Sequence, residues 1–179
     1  MKAFITLIFC YLCIFTGCNS KQPEQKAAEQ QTEQKEKVML DIFNDINKTR
    51  GLLSQNGIGE LHSWKSDQMG GFMSITDYYN IQNTLSNVSY YLESDNESHI
   101  KTLRFVLNIN KKNESKQSVS FFTDKVSATF KSLSLDIPDG LLAAINKGDT
   151  FNADHDNFTT SFNVDKGNID IYTLKIETK

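Results

Sequence analysis

All three cysteines of this chain, Cys10, Cys13 and Cys18, fall within its first 18 residues, so whatever folds beyond them does so without a disulfide or a thiolate-bound metal. A second boundary follows at once. Ser20 to Lys37 is built from Gln, Glu, Lys and Ala, with no aromatic and no β-branched apolar residue, and has nothing to contribute to a core. The core must therefore be assembled from residue 38 onward. About 140 residues suffice for one domain held by apolar packing alone, since a domain of that size buries roughly two thirds of its unfolded surface.

The first residues read as an export signal. Met1 and Lys2 provide a positive start, Ala3 to Phe15 an apolar run, and Thr16-Gly17-Cys18 a close of small residues. The run is too short for a stable bilayer span, which needs about 20 apolar residues. Thr16, Gly17 and Cys18, with Phe15 where Leu is usual, resemble the lipobox of bacterial lipoproteins, and the resemblance covers residues 1–20 only. It implies cleavage after residue 17 and acylation of the Cys18 thiol, fixing residues 18–179 to a membrane. Two or three acyl chains, at about 0.8 kcal/mol per buried CH₂, hold where one would not. By the same resemblance, Asn19 rather than Asp after the cysteine points to the outer membrane more than the inner, leaving open which side of that membrane the domain faces, periplasmic or external. Residues 18–37 then form a tether of 20 residues, roughly 25 Å end to end as a coil and about 70 Å when stretched. Ala27 to Lys37 also has the propensity to continue a helix.

Cleavage would remove Lys2 alone among the 19 basic side chains and none of the 22 acidic ones, a formal charge of −4. That balance offers no grip on nucleic acid. Asn-X-Ser/Thr triplets begin at Asn47, Asn87, Asn96, Asn113 and Asn157, and in an Asn-rich chain with a bacterial signal they are assigned no function.

Within residues 38–179 the apolar periods predict an α+β domain. Met39, Ile42, Phe43, Ile46 and Leu53 share one helical face, predicting a helix from about Val38 to Leu53. Asn56-Gly57, Gly59 and Gly70-Gly71 break regularity, and the stretch holding Trp64 reads as loop. Strands are expected over Phe72–Ile81, Val88–Ser94 and Ile100–Ile109, the last from the alternation of Leu103, Phe105, Leu107 and Ile109 with Thr102, Arg104, Val106 and Asn108. Val119, Phe122, Val126, Phe130 and Leu133 then predict a helix, and Pro138, Leu141, Leu142 and Ile145, with Gly148 beyond, a short one. A hairpin turning at Asp165-Lys166-Gly167-Asn168 finishes the chain. The order α-β-β-β-α-α-β-β suits an antiparallel sheet of about five strands with its helices on one face. In element order alone it resembles the small α+β folds of secretion chaperones without their final helix, which bears on fold and not on function.

Chemistry-bearing patterns are sparse. Asn152, Asp154 and Asp156 alternate as in the start of a calcium loop, but Asn157 and Asn163 stand where an EF-hand needs Gly and a bidentate acid, so a polar turn before a strand is the better reading. His62, His99 and His155 lie far apart with no i, i+4 pairing for zinc. No nucleophile elbow or phosphate loop is present. Glu60, Asp67, Asp77, Glu93 and Asp95 are available for sugar-polymer hydrolysis, with no spacing that selects two. Catalytic residues, metal and small-molecule cofactor are therefore not expected.

Tyr78, Tyr79, Tyr90 and Tyr91 form two adjacent pairs on neighbouring expected strands. Alternation should send one Tyr of each pair into the core and the other to the open face. That gives a binding face for an envelope protein or a glycan, against the plainer reading of cross-strand packing. Trp64, Phe72 and Met73 read as core. The expected function is a lipid-anchored, non-catalytic interaction module of the bacterial cell envelope; the alternatives are an immunity protein against an envelope-directed toxin, or an envelope hydrolase or metal-binding protein.

Overall fold

Helices and strands alternate along the chain in two blocks, and a computed structural model describes them for residues 40–179. The signal, Cys18 and the tether lie outside the described residues. Among the described residues there are three α-helices, α1 (Ile46–Ser54), α2 (Ser115–Ser132) and α3 (Leu141–Lys147). Eight strands accompany them: β1 (Lys65–Ser66), β2 (Phe72–Ile75), β3 (Tyr79–Asn80), β4 (Asn87–Ser94), β5 (Thr102–Ile109), β6 (Phe151–Asp154), β7 (Phe158–Asp165) and β8 (Asp170–Thr178). They form one antiparallel sheet in the order β1-β2-β4-β5-β8-β7-β6, with β3 also paired to β4. The α+β class and antiparallel sheet are as expected, and the count of five strands is corrected to eight.

Register places Tyr90, Phe105, Leu174, Phe162 and Phe151 in one line across five strands, all on the face that the helices cover. Phe105 stacks on Phe122 of α2 at 4.6 Å between ring centroids, and Tyr90 tilts against Phe105 at the same distance. Val119, Phe122, Val126, Phe130 and Leu133 are all buried, as their helical spacing requires. α3 ends at Gly148, whose φ of +72° a side chain would strain.

Four further differences from the sequence expectation have local causes. The first helix is broken: a 3₁₀ turn over Asp41–Asn44 precedes α1, because Asp45 leaves helical geometry to cap α1, its carboxylate accepting from Lys48 N–H at 2.9 Å. The stretch around Trp64 is not all loop, since Lys65 and Ser66 pair with Met73 and Phe72. The polar segment at Asn152 is strand β6 rather than turn, because its backbone pairs with β7. The expected strand Phe72–Ile81 is interrupted. Ile75 faces Tyr91 and Tyr79 faces Val88, so Thr76, Asp77 and Tyr78 stand opposite only Ser89 and Tyr90. This is a β-bulge of one extra residue. The buried Thr76 hydroxyl accepts from Tyr90 N–H at 3.0 Å, and Thr76 N–H donates to Tyr90 O at 3.1 Å.

Candidate functional site

The bulge decides where the tyrosines go. An unbroken ladder from Ile75 would place Tyr78 opposite Val88, on the helix-covered face. The extra residue instead gives that place to Tyr79, which stacks on Phe121 of α2 at 5.7 Å and 6° between planes. Tyr78 is released to the other side, 61% exposed, with its phenol against that of Tyr91. Tyr90 is fully buried, while Tyr91 is half-buried on the open face. Each pair thus sends one ring to either face. The expectation that one Tyr of each pair enters the core is corrected for Tyr79, which remains 36% exposed at the rim of the helix layer.

On the open face Tyr91, Arg104, Lys175, Ser161 and Asn152 are cross-strand neighbours in one row. The Arg104 guanidinium carbon lies 4.9 Å from the Tyr91 ring centroid, a cation–π contact. Its Nε donates to Glu93 Oε2 at 2.9 Å and its Nη2 to Glu93 Oε1, a two-pronged pair. Lys175 donates to Glu177 Oε2 at 2.6 Å. Asn108 Nδ2 donates to Asn87 Oδ1 at 2.9 Å further along the same face. Hydrogen bonding to Tyr91, and repulsion between the two phenolates once ionised, raise the pKa of Tyr78 above its ordinary value. Ser89 is buried on this face between Tyr91 and Asn87, and its hydroxyl has no hydrogen-bond partner among the described residues.

Arg104, paired with Glu93, belongs to this face beside the tyrosines and is not among the residues expected there. The sequence signal for it is that Arg104 occupies a polar position of a strictly alternating strand, and the register makes the acid Glu93 its diagonal neighbour on β4. Of the five acids considered for hydrolysis, Asp67, Glu93 and Asp95 come together, with Glu177, around a cleft of about 370 Å³ at one end of this face. Glu60 and Asp77 lie elsewhere. Met73 lines the cleft rather than the core, and Phe72 lines it while stacked on Trp64 at 6.3 Å. The histidines are not gathered: His62 lies 3.5 Å from Asp77, His99 beside Ser98, and His155 stacks on Phe158 at 4.1 Å. Asp154 of the expected calcium pattern binds Lys179 at 2.6 Å instead. Among the described residues no group of three or more His, Cys, Asp or Glu is placed to hold a metal ion, and no helix is long and apolar enough to cross a membrane.

The geometry therefore defines an α+β domain with a helix-covered face and an open face bearing paired charges and two tyrosines. No family model matches the chain, and no curated protein or solved structure matches it either.

Proposed function

We propose that this chain is a lipid-anchored bacterial envelope protein whose open sheet face docks a partner protein without catalysing a reaction. One observation supports this reading above the others: a one-residue bulge turns Tyr78 out of the helix layer and sets it beside Tyr91 and Arg104. Bulges that re-aim a side chain accompany functional surfaces, and Tyr and Arg are the residues enriched where proteins bury a shared surface. The charges of this face are already paired, Arg104 with Glu93 and Lys175 with Glu177, so covering them leaves no lone ion desolvated. The lipid on Cys18 and the outer-membrane address rest on the lipobox resemblance.

Two measurements test the reading. Mass spectrometry of the protein isolated from its native membrane should find a diacylated or triacylated Cys18 at the N-terminus, and an intact Met1 or an unmodified terminus overturns the anchor. Crosslinking in intact cells should retain a discrete envelope protein with the wild type and lose it with Arg104→Ala and Tyr78→Ser. Equal capture by both variants, or a glycan in place of a protein, overturns the proposed docking.

A further inference from the structure

We propose that Asn56 is a deamidation site which the fold holds shut, and that its modification unfastens the sheet from α2.

Asn56-Gly57 is the one Asn-Gly step in the chain. Asparagine is the more labile there because glycine has no side chain to screen the backbone nitrogen that follows it. That nitrogen gives up its proton and attacks the Asn56 Cγ, the Cγ–Nδ2 bond breaks, and the departing nitrogen takes a proton to leave as ammonia. Water then opens the cyclic imide to aspartate or isoaspartate. No oxidant and no second substrate enter the reaction.

Gly57 is exposed and Asn56 half-buried, so water reaches the step freely. What the fold withholds is the approach of Cγ to the Gly57 nitrogen. Asn56 Nδ2 donates to Tyr90 Oη at 3.1 Å, and its Oδ1 accepts from Ser132 Oγ at 2.8 Å. The side chain cannot turn back over its own backbone without breaking both bonds. Lys125 Nζ donates to the Asn56 carbonyl oxygen at 2.6 Å and fixes the peptide plane that carries the attacking nitrogen. Reaction therefore requires the loop after α1 to part from α2, a local opening rather than unfolding of the whole domain.

The same bonds explain what the modification would do. Thr129 Oγ1 donates to the Lys125 carbonyl at 2.7 Å, which uses its single proton. In its 2.5 Å contact with Thr129 the Tyr90 hydroxyl must then be the donor, and its lone pairs are left for the Asn56 amide. A carboxylate at position 56 has only acceptors to offer. It would face a phenol whose proton is already given to Thr129, and both Tyr90 and Thr129 are fully buried, where no water can repair the mismatch. Isoaspartate would also lengthen the main chain two residues ahead of the fully buried Ile58.

The test is a time course of the full chain in detergent under mildly alkaline conditions, followed by peptide mass spectrometry in ¹⁸O-water that separates asparagine, aspartate and isoaspartate at position 56. In urea the reaction should run at least about tenfold faster than in native buffer, since both side-chain bonds are then released. Tyr90→Phe and Ser132→Ala, each removing one of those bonds, should speed it in native buffer by about three- to tenfold. Ser132→Ala carries the test if Tyr90→Phe does not fold. Gly71→Ala, which strains the β1–β2 turn and whose added Cβ meets none of these residues, should stay near the wild-type rate. Asn56→Asp should melt below wild type. Equal rates in urea and native buffer, acceleration by Gly71→Ala as large as that of the network variants, or modification of other asparagines ahead of Asn56 overturn the protected site, and an unchanged melting temperature for Asn56→Asp overturns its effect on the core.

Discussion

The Tyr90 hydroxyl lies 2.5 Å from the Thr129 hydroxyl, joining the middle of the sheet to α2 inside an otherwise apolar core. Asn56 donates to the same phenol at 3.1 Å and accepts from Ser132 at 2.8 Å, while Lys125 closes on the Asn56 carbonyl at 2.6 Å. Loop, sheet and helix are thus tied by one network whose every member has a partner, the condition under which buried polar groups fix a single packing. Burial raises the pKa of Tyr90, which keeps the phenol neutral and able to donate.

Tyr90→Phe keeps the ring and removes the oxygen, leaving the Asn56 amide without its acceptor. A loss of about 1–3 kcal/mol is expected in urea unfolding. Thr129→Val should cost a similar amount, and the double variant less than the sum of the two. Additive losses would mean that the two hydroxyls do not act together.

Two glycines should respond in opposite directions to alanine. Gly51 lies inside α1 with nothing within 4 Å of an added Cβ, so Gly51→Ala should stabilise by about 0.5–1 kcal/mol. A Cβ on Gly71 would fall 2.7 Å from Asp67 Oδ2 and 3.0 Å from the Ser94 carbonyl oxygen, and the backbone oxygen cannot easily give way. Gly71→Ala should cost about 1–3 kcal/mol and disturb the rim of the cleft. Thermal melts of the two variants check both signs.

Asp67 ties together acid sensitivity and the β1–β2 turn. The N–H groups of Met69 and Gly71 lower its pKa. A carboxylate depressed in the folded state adds stability above its unfolded value, about 3.9, and loses it as the pH falls through the folded value. Asp67→Asn should therefore melt lower than wild type at pH 7, with the difference closing as the pH drops below about 3.9. A difference that does not change with pH would contradict this origin.

The Tyr78 phenol should titrate above its usual range in the wild type and return toward about 10 in Tyr91→Phe. ¹³Cζ-tyrosine NMR resolves the two rings. An unchanged Tyr78 titration would separate the two phenols and weaken the case for a shared site.

Much of this arrangement is legible in the sequence. Leu103, Phe105, Leu107 and Ile109 alternate as a half-covered strand must, and the α2 stripe is plain because Val119, Phe122, Val126 and Phe130 leave no other period. The parity of Tyr90 and Tyr91 follows from the same rule. The parity of Tyr78 and Tyr79 does not, because the bulge contains neither Gly nor Pro and depends on the Thr76 hydroxyl meeting an amide 14 residues away. β6 was hidden for a related reason: Asn152 and Asp154 favour turns, and only pairing with β7 makes them strand. β1 has two residues and no period to read. The cleft is not legible because its acids come from three separate segments, and the distances along the chain between Asp67, the Glu93–Asp95 pair and Glu177 carry no trace of their meeting.

Docking through the open face is tested most directly by site-specific photocrosslinking in intact cells, with benzoylphenylalanine placed at Tyr78 or at Ala143, an exposed position on α3. One discrete protein adduct from position 78 and none from position 143 is the expected result. Adducts from position 143 alone, or the same adduct from both, would contradict it.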